Sequence, residues 1–318
     1  MLGRLPMEQL RLSAGAVLPM FLLLAAGYLS QKAGVLTRED VPGFNRVAYR
    51  IFLPCLLFYN IYSSDLSSSV KPDVIVFAVC GVVLVFFGAL VAAQFLVKKE
   101  EWKGVIAQGV ARSNFVIMGI PIAQELVGAE NLGSITVLIA VIVPLFNIFS
   151  VFLVEHFRGR VSLRKVLIET VKNPLIVGSV VGILFQLLHI RLPGLLEKAV
   201  SSLGGIASPL QLFLLGAFFR FEGLGKYVRP LAAVTAVKLF LTPAVMLGTA
   251  ALLGIRGGDF VGLIGIFASP TAVNSFTLIQ QMKCGDEELA GDIVVITSAV
   301  SILSMFIWIL IFRTAGIF

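Results

Sequence analysis

The stretch SNFVIMGIPIAQELVG, from Ser113 to Gly128, is apolar enough to lie inside a membrane, but its centre carries Gly119 and Pro121. Proline removes a backbone N–H donor and clashes with the preceding turn, and glycine has a low helix propensity. A continuous helix through these two residues is therefore disfavoured. The stretch predicts a transmembrane helix that is broken near Gly119 and Pro121.

The composition of the whole chain is typical of a polytopic membrane protein. Of its 318 residues 58% are hydrophobic and 14% are charged, against roughly 25% charged residues in a soluble domain. The 25 lysines and arginines exceed the 18 aspartates and glutamates, but they are scattered in short connections between apolar segments. This pattern favours cytoplasmic loops beside anionic lipid, and no nucleic-acid partner is expected.

Two other features of the sequence bear on its class. Cys55, Cys80 and Cys284 lack metal-ligand spacing, so neither a disulfide framework nor a zinc site is predicted. Residues 1–30 combine a short charged region with an apolar run, as a signal peptide does. Because many comparable apolar segments follow, a first transmembrane helix is the better interpretation.

The apolar runs predict an all-α protein with ten transmembrane helices. A hydrocarbon core of about 30 Å requires about 20 apolar residues per helix. Runs of about this length lie at 13–31, 43–63, 73–97, 104–128, 133–155, 173–190, 197–220, 229–254, 258–282 and 291–313. Lysine and arginine concentrate in alternate connections, which places that side in the cytoplasm and both termini outside. The expected location is a cell membrane that the chain crosses several times.

The chain divides into two related halves in this interpretation. Residues 1–155 form the first five-helix repeat, 156–172 a cytoplasmic interfacial helix, and 173–318 the second repeat. Residues of one type recur 155 positions apart, namely Pro19 and Pro174, Gly27 and Gly182, and Pro54 and Pro209. Because five is odd, the second repeat enters the membrane inverted, as in many secondary transporters.

The ninth predicted span repeats the unusual design of the fourth. It carries Pro270 at mid-depth, preceded by Ser269. Backbone groups freed by a break survive in a membrane only where protein or a water-filled cavity satisfies them, so two matched breaks predict a shared cavity. Half-helix ends there would attract an anion or a coupling cation. The alternative is that both prolines only kink their helices.

Four polar residues inside the spans are candidates for this cavity. Asn114 precedes Pro121 by two helical turns, and Asn147 is a second amide at mid-membrane depth. Arg112 and Lys238 are cations within spans and are candidates for a charge or coupling role. Interhelical hydrogen bonding would explain the amides equally well, and contact with water or a carbonyl would explain the cations.

The other ionisable residues give no catalytic arrangement. The acidic residues and both histidines within or beside the spans fall towards span ends, namely Glu125, Glu155, Asp292, His156 and His189. The sequence therefore supports no carboxylate proton relay at the midplane, no metal site and no enzyme, and no cofactor is expected.

These motifs resemble those of the auxin efflux carrier family. SNFVIMGIPIAQELVG is similar to its fourth-helix signature, KNPLIVGSVVGILFQL to its sixth, RIFLPCLLFYNI to its second and ASPTAVNSFTLIQQM to its ninth. The resemblance implies a scaffold of helices one, two, six and seven. It also implies a transport domain of helices three to five and eight to ten, in which helices four and nine cross at Pro121 and Pro270. Plant members suggest a homodimer through the scaffold.

The resemblance also assigns residues to a substrate pocket. By position, Asn114 matches the asparagine that binds the substrate carboxylate, and Asn147 falls at a pocket tyrosine. Val273 matches an apolar pocket residue, and Leu57 or Phe58 would face the site from the second helix.

Departures from the plant pattern favour a smaller and more polar anion. The central link is short, as in bacterial members, and Ser275 replaces a second proline beside the polar Asn274. Bacterial relatives are often described as malate or malonate permeases. The prediction is therefore a secondary transporter of a mono- or dicarboxylate, which moves Asn114, Asn147, Thr271 and Asn274 past the scaffold by an elevator-like movement.

Two alternatives accompany this prediction. A sodium-coupled carrier resembling the bile acid symporters would bind Na⁺ near Thr271 and Ser275, whereas the main prediction leaves H⁺ or Na⁺ open as the coupling ion. A membrane sensor or receptor would need a soluble output domain, but the given chain stops a few residues after the last predicted span.

Overall fold

A computed structural model describes residues 5–37, 39–63, 71–128, 133–158, 172, 174–218 and 224–318. The regular structure of these residues is helical, and one isolated antiparallel β-bridge joins Ser113 to Thr271. The α-helices are α1 (Leu5–Lys32), α2 (Val41–Val47), α3 (Leu53–Tyr62), α4 (Pro72–Leu96), α5 (Glu100–Ala111), α6 (Ile120–Val127), α7 (Gly133–Phe157), α8 (Pro174–Leu187), α9 (Gly194–Phe218), α10 (Leu224–Ala236), α11 (Thr242–Leu252), α12 (Gly257–Ala268), α13 (Val273–Met282) and α14 (Glu287–Thr314).

Within the described residues, three π-helical turns interrupt the α-helices. Ala48–Phe52 joins α2 to α3, Phe115–Gly119 leads into α6, and Val237–Leu241 joins α10 to α11. A π-helical turn inserts an extra residue and changes the direction of the side chains around it. Two of the three turns lie beside the functional site described below.

Length and composition identify several helices that could cross a membrane. Among the described residues these are Pro72–Leu96, Val137–Phe157 and Gly225–Leu252. A fourth is counted if Glu287–Ser301 and Leu303–Thr314, bent by 42°, form one span. The fourth and ninth predicted spans are each divided into shorter helices, which lowers any count based on unbroken length. The number of ten spans stays a prediction, and most of the link at 156–172 lies outside the described residues.

Helices α1, α3, α8 and α9 pack closely on one another through glycines. A Cβ atom placed on Gly27 of α1 would lie 1.8 Å from the carbonyl oxygen of Phe213 in α9. A Cβ atom on Gly182 of α8 would lie 2.9 Å from the carbonyl oxygen of Phe58 in α3. The absence of a side chain at these positions lets the helix backbones touch, as is common between membrane helices.

The remaining helices form a second packed group. In it α5 contacts α7 and α14, and α12 contacts the same two helices. At the end where α5, α10 and α14 begin, Asp286 caps α14 by accepting from the Leu289 N–H at 3.0 Å. Its other carboxylate oxygen accepts from Trp102 Nε1 at 3.1 Å and from the Tyr227 hydroxyl at 2.9 Å. These bonds hold the first turns of α5 and α10 beside the start of α14. They thereby help to position the other end of α5, at Ala111.

Candidate functional site

Helices α5 and α12 both end inside the protein, at the point where the segments that follow them cross. Helix α5 ends at Ala111 and α12 ends at Ala268, and each is followed by extended backbone. The Asn114 N–H donates to the Pro270 carbonyl at 2.8 Å, and the Ala272 N–H donates to the Arg112 carbonyl at 3.0 Å. These two parts of the chain, residues 112–114 and 269–272, are called the crossing segments. Each satisfies backbone groups that the helix break leaves free in the other, as a buried break requires.

The position predicted for the first break, at Gly119 and Pro121, is wrong. The break lies earlier, at Arg112 to Asn114, and the chain then continues through a π-helical turn into α6. Pro121 lies in α6, which follows the π-helical turn directly, so the helical backbone continues through this proline. A Cβ atom on Gly119 would lie 3.3 Å from the Cα atom of Gly265, so this glycine permits close packing against α12. The second break does lie at Ser269 and Pro270.

A cavity opens beside the crossing. Its walls come from α3, α7, the first turn of α13, the two crossing segments and the π-helical turn after the first break. The lining residues are Leu53, Leu56, Leu57, Arg112, Ser113, Asn114, Phe115, Val116, Val143, Phe146, Asn147, Ala272 and Asn274. The cavity thus combines apolar walls with a small group of polar side chains, as ligand sites commonly do.

The polar groups of the cavity are rich in hydrogen-bond donors. Arg112 donates from Nη2 to Asn147 Oδ1 at 2.5 Å, which orients both side chains. The Nδ2 atoms of Asn114 and Asn147 are buried and have no hydrogen-bond partner among the described residues, and the same holds for Asn274 Oδ1. A buried polar atom without a partner is costly, so these amides are suited to a bound ligand.

Two cations lie at the crossing without a neutralising carboxylate. Arg112 is 4% exposed and Lys238 is 1% exposed. The Lys238 ammonium donates to Ser113 Oγ at 2.5 Å. Within the described part of the chain, neither cation forms a salt bridge with an aspartate or glutamate. Because buried charge is expensive unless it is compensated, this arrangement favours a negatively charged ligand.

Some residues predicted for the pocket lie elsewhere. The Thr271 hydroxyl donates to the Gly109 carbonyl at 2.6 Å and holds the crossing together. Phe58 stacks on Tyr62 and meets Phe185 edge-on, whereas its neighbour Leu57 lines the cavity.

Val273 and Ser275 are buried but do not line the cavity. The Ser275 N–H donates to the Ala272 carbonyl at 2.9 Å in the first turn of α13.

Sequence reasoning also missed several residues of the site. Ser113, which opens the quoted stretch, pairs with Thr271 and receives Lys238. Its position between Arg112 and Asn114 was the available signal, but a serine in an apolar segment has many structural roles. The apolar walls from Phe115, Val143 and Phe146 carry no sequence signal that separates them from other core residues.

Comparison with known proteins identifies the family. The family model described as "Membrane transport protein" matches residues 12–160 and 158–309, which together cover most of the chain. The chain belongs to this membrane transport protein family. The match confirms the resemblance to the auxin efflux carriers and, with the apolar helices, identifies a multi-pass membrane protein.

Two relatives of this membrane transport protein are similar over nearly their full length. An "Uncharacterized transporter" of Methanothermobacter thermautotrophicus is 24% identical over 300 residues, which are 93% of this chain and 97% of the relative. A protein of Rhizobium meliloti described as "Putative malonate transporter" is 23% identical over 301 residues, 89% of this chain and 91% of the relative.

Proposed function

We propose that the protein is a secondary transporter of a small organic anion, with a mono- or dicarboxylate as its substrate. The observation that carries this proposal is the donor set of the cavity. It holds the Arg112 guanidinium and the amide nitrogens of Asn114 and Asn147, which lack partners among the described residues, and the described lining includes no carboxylate. A carboxylate accepts several hydrogen bonds at once, and a guanidinium is a strong donor to it.

The surroundings of these donors indicate the kind of anion. Leu53, Leu56 and Leu57 add an apolar wall to the cavity that holds these polar groups. An apolar wall and a charged end would bind a short carbon chain with the carboxylate at Arg112. The description of the relative from Rhizobium meliloti names malonate, a small dicarboxylate.

The division of the lining residues supports an elevator-like movement with alternating access. The described donors lie on the crossing segments and α7, whereas the lining from α3 is apolar. Helices α1, α3, α8 and α9 pack together and would form the scaffold. A substrate held by the crossing segments could then slide past α3 without breaking hydrogen bonds to it.

Glycine contacts between these four helices support the inverted repeat. Gly27 meets the carbonyl of Phe213, and Gly182 meets the carbonyl of Phe58. Adding 155 to Gly27 gives Gly182, and subtracting 155 from Phe213 gives Phe58. Exchange of the two halves therefore reproduces the contact, as two-fold pseudosymmetry between inverted repeats requires. We expect both termini outside the cytoplasmic membrane and a homodimer through these helices.

The proposal predicts that Asn114→Ala lowers carboxylate uptake by about tenfold to a hundredfold, the loss expected when a charged ligand forfeits one hydrogen bond. Purified protein in liposomes would take up radiolabelled malonate, and the initial rates of wild type and variant would be compared. The variant should fold, because the Asn114 side-chain nitrogen has no hydrogen-bond partner in the described part of the chain.

The matched control is Asn60→Ala. Asn60 also has an unpartnered side-chain nitrogen, but it does not line the cavity. Uptake should stay close to the wild-type rate in this variant. Equal uptake by wild type and folded Asn114→Ala would remove the proposed site. If the wild type takes up none of the tested mono- and dicarboxylates, at either sign of the membrane potential, the proposed function is wrong.

A further inference from the structure

Helices α5 and α7 pack side by side from the crossing to the start of α5. Side chains three or four residues apart lie on one face of a helix. The residues of the two helices that face this contact, together called the seam, are Gly104, Gln108, Arg112, Asn147, Ser150 and Val154. Arg112 and Asn147 also line the cavity beside the crossing. That cavity therefore forms one end of the seam.

A second cavity lies at the other end of the seam. Gly104 and Val154 line it, together with Cys284 and Glu100. The Glu100 side chain is 77% exposed, so this cavity lies at the protein surface. In the predicted topology this surface faces the cytoplasm. Solvent therefore reaches this end of the seam.

Two buried oxygen atoms lie midway along the seam. Gln108 Nε2 donates to the Ser150 carbonyl at 2.8 Å, and a carbonyl only accepts, so this bond fixes the orientation of the Gln108 amide. Gln108 Oε1 and Ser150 Oγ are buried and have no hydrogen-bond partner within the described part of the chain. Buried polar atoms are almost always hydrogen-bonded in folded proteins, so this pair indicates a ligand that donates to them.

Hydrogen-bond donors lie one helical turn away from these oxygens. The Arg112 guanidinium carries five N–H donors, and among the described residues it has one acceptor, Asn147 Oδ1. A metal cation would suit the two oxygens, but Arg112 would repel it. An anion would suit Arg112, but it would meet the lone pairs of Gln108 Oε1. Water both donates and accepts hydrogen bonds, so it satisfies both groups.

We propose that the seam binds a chain of water molecules, which joins the cavity beside the crossing to the second cavity and so to the solvent. Contact with this water lowers the cost of holding the charge of Arg112 inside a membrane. Because α5 and α7 belong to one packed group, the water would stay with Arg112 during an elevator-like movement. That consequence rests on the proposed function, whereas the water chain concerns the folded protein alone.

Thiol labelling tests whether water enters the seam. Ser150→Cys is close to isosteric and would be made in a protein whose own cysteines, Cys55, Cys80 and Cys284, are changed to alanine. The probe is hydroxyethyl methanethiosulfonate, a small neutral reagent that reacts with thiolates. Because a thiolate forms where water reaches the sulfur, Ser150→Cys should react about tenfold faster or more than Val151→Cys. Val151 is the matched control, since it is 2% exposed in the same helix but points about 100° away from Ser150.

A blocking variant tests the end from which water enters. Gly104→Leu places a side chain at the second cavity, where the atom nearest to a new Cβ is Phe157 Cβ at 3.6 Å, an ordinary contact. Combined with Ser150→Cys, this change should slow the labelling of the thiol severalfold. Gly205→Leu, in open surroundings on α9, should leave the rate unchanged. An unchanged rate in the folded Gly104→Leu variant would overturn the connection to the second cavity.

A crystal or cryo-EM structure of the wild type that resolves ordered water tests the seam without a variant. Density is expected within hydrogen-bond distance of Gln108 Oε1 and Ser150 Oγ, and it should be the same in sodium and in potassium. A dry seam, a bound cation at this place, or equal labelling of folded Ser150→Cys and Val151→Cys would overturn the proposal. If Ser150→Cys does not fold, the wild-type structure decides. None of these measurements uses a substrate, so a failure of carboxylate uptake would remove the proposed function and leave the water chain standing.

Discussion

Replacement of Arg112 by glutamine is expected to reduce carboxylate uptake by about thirtyfold to a thousandfold or more. Removal of one partner from a buried, hydrogen-bonded charge pair costs about 2–5 kcal/mol, which corresponds to this range. Among the described lining residues the guanidinium is the charged group that would face the proposed substrate, and it also donates to Asn147 Oδ1 at 2.5 Å. Arg112→Gln therefore removes the charge and releases the amide that the charge orients. The measurement is the initial rate of malonate uptake in liposomes.

Two companion variants separate charge from fold. Arg112→Lys keeps a positive charge but loses the planar fork of donors, so an intermediate rate is expected. Asn147→Asp places a carboxylate beside the guanidinium and creates an internal ion pair. This variant should fold, but it should lose uptake because its own carboxylate competes with the substrate. Wild-type uptake by Asn147→Asp would show that the substrate does not bind at Arg112.

The largest expected effect on stability comes from Gly216→Ala and Gly27→Ala. A Cβ atom on Gly216 would lie 1.9 Å from the Leu24 carbonyl oxygen, and one on Gly27 would lie 1.8 Å from that of Phe213. Both obstacles are backbone atoms, which cannot rotate away, so α1 and α9 would have to separate. Overpacking costs about 1–3 kcal/mol where side chains can adjust, and we expect each variant to exceed that range.

Gly205→Ala is the matched control within the same helix. No atom lies within 4 Å of the position that its Cβ would take. Alanine has a higher helix propensity than glycine by about 1 kcal/mol, so this variant should be neutral or slightly stabilised. Thermal unfolding in detergent would compare the three variants with wild type. Equal unfolding temperatures for Gly216→Ala and Gly205→Ala would contradict the close approach of α1 and α9.

The double variant Gly27→Ala/Gly216→Ala should lower the free energy of unfolding by less than the sum of the two single variants, because both changes open one interface.

The sequence located much of the cavity but not its chemistry. Asn114, Asn147, Asn274 and Leu57 line it, and each could be chosen from a motif or from a polar residue in an apolar segment. Phe58 could not be separated from Leu57, because adjacent helical residues point about 100° apart and only packing decides which of the two directions faces the cavity. The bond from Arg112 to Asn147 joins two helices and has no trace in local sequence.

By itself the sequence determined the class of the protein. Its composition predicted a helical membrane protein, and its motifs predicted the family, because hydrophobicity and short motifs are local properties of the chain. The tertiary structure decided where the helices break. The sequence pointed to Pro121, but the helical backbone of residues 115–127 continues through this proline. The break lies at Arg112 to Asn114, because Pro270 and Ala272 of the other crossing segment satisfy the backbone groups freed there.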